Sequence, residues 1–112
     1  MSKRADRQLV SAALLFAALG DPTRLALLDR LSDGGPASIT TLTDSFALTR
    51  QGISKHLQVL ASAGVIDGRR EGREHVWAIN SDRLADARRH LDVVSRDWAS
   101  ALTRLKAHVE RG

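Results

Sequence analysis

The chain has 112 residues, a net charge of +4, no cysteine, and 43% hydrophobic, 27% charged and 4% aromatic residues. This is one domain with a modest core built from aliphatic side chains, and disulfides, thiolate metal sites and a cysteine nucleophile are excluded. No apolar run approaches the roughly 20 residues of a membrane span, and no apolar segment with a cleavage site follows Lys3 and Arg4. The expectation is a cytoplasmic protein without a membrane partner.

Residues 8–19 predict a helix, with Leu9, Ala13 and Phe16 recurring at helical spacing and Ala12, Leu15 and Leu19 alongside. Gly20 ends it. Asp21-Pro22 opens a second helix, because Asp21 can cap free N–H groups and proline suits the first helical position. Leu25, Leu28 and Leu31 mark one face, and Asp33-Gly34-Gly35-Pro36 is a break. A short helix is predicted over Thr40–Phe46, capped by Ser38 or Thr40. After a tight turn at Ala47-Leu48, Thr49 caps a helix over 50–63, and Gly64 stands at its C′ position. Two helices joined by so short a turn make a helix-turn-helix. Gly52 fits either a close approach to a neighbouring helix or DNA, or simple tolerance near the first turn.

Val65–Arg70 and Glu74–Asn80 read as two strands around Glu71-Gly72-Arg73. The period of two puts His75, Trp77 and Ile79 on one face, with Trp77 and Ile79 expected to point at the core. Ser81 or Asp82 then caps a long helix. In it Leu84, Ala87, Leu91, Val94, Trp98, Ala101, Leu105 and His108 alternate by steps of three and four. A small domain has little core left for so long a seam, so it is expected to pack on a second copy of the chain, with the first helix helping. The expected dimer residues are Leu9, Ala13, Phe16, Leu91, Val94, Trp98, Ala101 and Leu105. The alternative is a helix folded back on its own domain. Residues 1–6 and 110–112 are expected to fray.

The resulting fold class is mainly α with a small β-hairpin, a single winged helix-turn-helix domain over 1–112. Its core spans 8–80, its helix-turn-helix about 40–63, its wing 65–80 and its C-terminal dimerisation helix 82–109. Residues 49–73 hold Arg50, Lys55, Arg69, Arg70 and Arg73 against Asp67 and Glu71, a local excess of +3. A basic segment favours a polyanion. Arg50, Gln51, Ser54, Lys55 and Gln58 lie on the polar side of the helix that would enter a groove. Arginine can read guanine and glutamine adenine, while serine and lysine serve bases or phosphates. Thr49 can cap the helix and touch phosphate. Arg69, Arg70 and Arg73 are the candidate wing contacts. His56 sits between the polar and apolar sides, suited to a phosphate or to a hydrogen bond within the helix-turn-helix. The competing reading of these residues is a solvated helix face and a soluble hairpin.

Three local motifs carry a resemblance to a known family. They are Ala18-Leu19-Gly20-Asp21-Pro22-Thr23-Arg24, then Ser54-Lys55-His56-Leu57 with Ala63-Gly64-Val65-Ile66, then Arg70-Glu71-Gly72-Arg73 followed by Trp77-Ala78-Ile79. In this order they resemble the ArsR-type winged-helix repressors over roughly residues 8–109. The resemblance implies a homodimer that binds a pseudo-palindromic operator in double-stranded DNA and blocks transcription. It does not bring the family's metal sites. Thiolate sensors carry Cys-Val-Cys where this chain has Ser38-Ile39-Thr40. The terminal-helix ligand pattern falls on Ser95, Asp97, His108 and Arg111 in one register, and places Ala101 at the second histidine in another. No metal or other cofactor is therefore expected. A non-standard site from Asp86, His90, His108 and Glu110 across a dimer is the alternative. The residues name no effector; an unknown small molecule favouring a DNA-incompetent dimer would release the operator. A protein-interaction module on the same fold is the runner-up. No Ser/His/Asp spacing, phosphate loop or dinucleotide fingerprint supports an enzyme.

Overall fold

The computed structural model describes residues 3–111. Along the chain lie α1 (Lys3–Leu19), α2 (Pro22–Gly34), β1 (Ala37–Ser38), α3 (Ile39–Ser45), α4 (Arg50–Ser62), β2 (Ile66–Glu71), β3 (Glu74–Ile79) and α5 (Ser81–Arg111). This is a mainly helical winged helix-turn-helix, with α3 and α4 as the two helices of the motif and β2–β3 as the wing.

Local chemistry sets most boundaries. Asp21 is extended and accepts a hydrogen bond from the Arg24 N–H at 3.0 Å, with Pro22 opening α2 behind it. α2 runs through Asp33-Gly34, two residues into the expected break, and stops at Gly35, whose φ of 75° suits only glycine. Ser38 caps α3 by accepting from Thr41, so that helix begins at Ile39. Thr49 accepts from the Gly52 N–H at 3.0 Å and caps α4. A side chain at Gly52 would meet only the Thr49 hydroxyl, at 3.2 Å, so the close neighbour there is the helix's own cap. At the far end Gly64 takes φ 79°, with Gly64 N–H donating to Ala61 and Val65 N–H to Leu60. That paired closure satisfies two carbonyls left free by the end of α4.

Three further boundaries differ from the sequence expectation. α1 starts at Lys3 rather than residue 8, because its first turns are polar and carry no apolar periodicity, although no glycine or proline interrupts them. α5 persists to Arg111, so residues 3–6 and 110–111 are helical; residues 1, 2 and 112 lie outside the described part. The cap of α5 is Asn80, not Ser81 or Asp82. Its Oδ1 accepts from Arg83 N–H at 3.1 Å while its amide donates to Asp67 Oδ2 at 3.1 Å, which fuses the end of the wing to the start of the helix.

The core is aliphatic. Leu15 of α1, Leu27 of α2, Leu42 of α3, Ile53, Leu57 and Leu60 of α4, and Val65 and Ile66 at the start of the wing are essentially inaccessible. Each such side chain contributes about 1.5–3 kcal/mol on burial. The sheet is antiparallel in the order β1–β3–β2, with Ala37 opposite Trp77 and Ser38 opposite Val76. β1 was not anticipated, since two residues cannot show a period. Trp77 and Ile79 reach the edge of the core but stay half-buried, and Val76 on the other face is buried more deeply.

α1 and α2 meet at 89° and wrap the core with α4; among the described residues no single helix is long and apolar enough to cross a membrane. α5 leaves this body. It has 31 residues, about 46 Å of helix, and only Ala87 is buried along it. The chain is accordingly elongated, 66 × 32 × 21 Å with a radius of gyration of 18.5 Å, against about 13 Å for a compact domain of this length.

Arg83 holds α5 in place. Its guanidinium donates to the Ala63 carbonyl at 2.9 Å and to both the carbonyl and the hydroxyl of Ser11 at 2.9 Å, and lies 3.7 Å from Asp86. Arg83→Met is expected to lower the unfolding free energy by about 2–3 kcal/mol in urea denaturation at fixed protein concentration, because two carbonyls lose a charged donor. A change within error would show that water replaces the guanidinium at no cost.

Candidate nucleic-acid interface

The apolar residues of α4 at 53, 57 and 60 face the core, which forces the intervening polar residues outward. Gln51, Lys55 and Gln58 are exposed and Ser54 is half-buried. Together with Arg50 they line one shallow concave surface edged by Ile39. Arg50 sits at the first position of α4, and its Nη1 lies 3.5 Å from the Thr40 hydroxyl of α3. Thr49, also exposed, uses its oxygen as acceptor in the cap and keeps its hydroxyl proton free to donate outward.

A second groove runs between α4 and the wing. Arg50, Arg70 and Arg73 line it with Glu74 and His75, over a floor that includes Ser38 and Thr40. Strand alternation separates the wing arginines. Arg70 pairs across the ladder with His75, whereas Arg69 pairs with Val76. Arg69 is outside that groove and lies 2.6 Å from Glu71, both exposed. The structure thus brings Arg50, Arg70 and Arg73 together and sets Arg69 apart. Sequence reasoning left out Thr40 and His75; the period of two already put His75 on the inner face, but the approach of α3 was not readable.

His56 turns away from this surface. Its Nδ1 lies 3.5 Å from Arg24 Nη1 and 3.8 Å from Asp21 Oδ2. Arg24 also donates to the Ala18 carbonyl at 2.6 Å and the Ala17 carbonyl at 3.2 Å. Asp21, Arg24 and His56 therefore tie the back of α4 to the junction of α1 and α2. The hydrogen bond from the Arg24 backbone N–H holds the Asp21 carboxyl below the ordinary aspartate range, assisted by the charges of Arg24 and His56 against a smaller opposing effect of burial.

The second exposed surface is apolar. On α5, Leu91, Trp98, Leu102, Leu105 and Val109 are all more than half exposed, and Val94 is half-buried. The heptad pattern named Ala101 and His108, which are exposed too, where the large apolar side chains are Leu102 and Val109. A straight helix drifts about 20° per heptad from a 3.5-residue repeat, in the direction that favours the later positions. On α1, Leu9 and Ala13 are exposed, as are Val10 and Leu14, which the sequence analysis omitted. Phe16 is half-buried within its own chain, its ring 5.7 Å from that of His90. His90 and His108 are 18 positions apart on one helix, about 27 Å. Among the described residues no three histidine or carboxylate side chains converge to hold a metal ion.

Comparisons with known proteins point the same way as this geometry. Residues 19–69 match a family model described as a helix-turn-helix domain. An uncharacterised HTH-type transcriptional regulator of Methanocaldococcus jannaschii is 36% identical over 75 residues, covering 67% of this chain and 84% of that protein. An ArsR-like transcriptional regulator from Rhodococcus sp. RHA1 superposes with a TM-score of 0.78 at 30% identity, covering 88% of this chain and 92% of the other. The homodimeric winged helix-turn-helix DNA-binding domain of a possible ArsR-family regulator from Mycobacterium bovis gives a TM-score of 0.70 at 26% identity, covering 87% and 89%.

Because the Asp21 carboxylate is held below its ordinary range, its stabilising effect is fully present above the unfolded value, about pH 4, and is lost as the pH falls through the folded one. Asp21→Asn keeps a capping oxygen but removes the charge. Its acid unfolding profile is expected to be flatter than that of the wild type below about pH 4; superimposable profiles would show that the carboxylate contributes nothing there.

Proposed function

The chain belongs to the ArsR-type family of winged helix-turn-helix transcriptional regulators, and on that premise we propose that it acts as a homodimer which represses transcription by occupying a pseudo-palindromic operator. Members of this family are DNA-binding regulators, not enzymes. The observation that carries the finer reading is the groove in which Arg50 of α4 meets Arg70 and Arg73 of the wing. Three guanidinium groups around one cleft beside an exposed polar helix suit a DNA backbone that passes between helix and wing while α4 lies in the major groove.

In this arrangement Arg50, Gln51, Ser54, Lys55 and Gln58 face base edges and nearby phosphates, Thr49 donates to a phosphate at the helix start, and Arg70 and Arg73 grip the backbone. Arg69 is spent on Glu71 and contributes through the general field. His56 supports α4 from behind. The single-domain organisation over residues 1–112 follows, with α5 as the dimerisation helix.

Dimerisation is supported by the exposed apolar stripe of α5 and by the exposed Leu9 and Ala13 on α1. Exposed contiguous apolar surface on this scale marks an interface. A two-fold dimer places its two α4 helices on half-sites about one helical turn apart, or a multiple of it. Bound there, it excludes polymerase. Release by a small molecule would take one with higher affinity for a DNA-incompetent dimer.

The deciding experiment titrates the purified protein with its own upstream duplex and with a scrambled duplex across a range of salt. Preference for the native sequence with a steep salt slope is expected, and equal weak binding to both would favour a protein-interaction role. Arg73→Ala should weaken binding to both duplexes and lower the slope by about one unit per subunit, whereas Arg69→Ala should change it by less. Trp98→Glu should shift the protein to monomer in sedimentation and lose operator preference; a dimer surviving that change would put the interface elsewhere.

A further inference from the structure

The wing carries an aromatic pair that the regulator reading does not use. The rings of His75 and Trp77 stack with centroids 4.4 Å apart and planes inclined by 17°. They project from the same face of β3, two residues apart, and lie across Gly68 of β2, which pairs with Trp77. A Cβ at Gly68 would collide with Nε2 of His75 and with Cζ3 of Trp77. Only a glycine leaves room for the two rings, so the imidazole is packed between a strand backbone and an indole although it remains solvent-exposed. It also lines the groove that holds Arg50, Arg70 and Arg73.

We propose that His75 is a DNA-backbone contact of the wing, held ready by Trp77 over Gly68, which makes operator binding depend on a proton. The inference rests on the regulator reading and assigns the groove a fourth phosphate ligand. A pinned ring is suited to this, because a side chain already fixed loses little freedom when it binds. A neutral imidazole offers one N–H donor, whereas the protonated ring offers two and brings a charge. A phosphate seated among the guanidinium groups therefore selects the protonated ring. The charged groups facing His75 are Arg70 across the ladder on β2, Arg73 and Glu74 at the hairpin end, and Arg50 on α4; β1 and α3 present only the neutral Ser38, Ile39 and Thr40. One carboxylate against three guanidiniums leaves the site strongly attractive to an anion. The contact therefore strengthens as the pH falls and weakens as it rises.

The test measures affinity and salt slope at about pH 6 and about pH 8, with the duplex upstream of its own gene, for the full chain and two variants. The wild type is expected to bind about tenfold more tightly at the lower pH, with a slope steeper by about one unit per subunit, the signature of one added phosphate contact in each wing. His75→Gln should bind with the same affinity and slope at both, matching the wild type at high pH. His75→Lys should keep the steep slope at both, since its charge does not titrate there. Identical wild-type slopes at the two pH values would overturn the proposal. So would a pH dependence that survives in His75→Gln, which would place the proton elsewhere, for example at His56. Absence of salt-sensitive duplex binding by the wild type at either pH would remove the regulator reading itself, and this contact with it.

Discussion

Arg83 donates from one guanidinium to the carbonyl of Ala63, the residue that caps the end of α4, and to Ser11 of α1, while its backbone lies in the first turn of α5. The carbonyls at the end of a helix have no partner within it, and leaving them dry costs about 1–3 kcal/mol each. Arg83 satisfies such an end and in doing so fixes the direction in which α5 departs. Arg24 does the same at the other side of α4, with its guanidinium on the carbonyls of Ala17 and Ala18 at the end of α1 and beside His56. The polar face of α4 is held outward by its apolar side at Ile53, Leu57 and Leu60, and the helix is held in orientation by these two arginines. Both are consumed by the fold, so the net charge of the chain is a poor guide to the charge it offers a polyanion. The groove between α4 and the wing is the better guide.

The wing shows the same economy. One strand sets Arg69 and Arg70 on opposite faces, and the outward one finds Glu71. The inward one joins Arg50 and Arg73. Four basic residues close in sequence or space are thus divided into a cluster facing the groove and a neutralised pair facing away. A pair exposed to solvent on both sides contributes little to stability, about 0–1 kcal/mol. Its effect is to shape the field around the hairpin.

What the sequence showed plainly were the features that local chemistry decides. The caps at Asp21 and Thr49, the stop at Gly64, the apolar side of α4 and the turn at Gly72 each involve residues within a few positions of one another, and Ser38 was one of two candidates for the cap of α3. What it concealed depends on distant partners. β1 exists because Ala37 meets Trp77, forty positions away. Asn80 takes the cap of α5 because Asp67 holds its amide, whereas Ser81 and Asp82 look equally suitable in the string of letters. The roles of Arg24, His56 and Arg83 are long-range in the same sense. A charged residue at a helix start reads as a solvated one until the carbonyl it serves is known. The exposed apolar stripe of α5 was partly readable: Leu91, Trp98 and Leu105 lie on it, while Leu102 and Val109 stand one place beyond the heptad positions.

The far half of α5 has one further property. Residues 95–111 of α5 are exposed apart from the half-buried Ala107, and a helix whose apolar face is not packed is marginal in water. In the dimer proposed above, the order of this segment and its association are coupled. Occupancy of a two-fold site by such a protein rises with the square of its concentration, not in proportion to it. A modest change in the rate of synthesis or removal of the chain would become a sharper change in transcription, with no ligand involved.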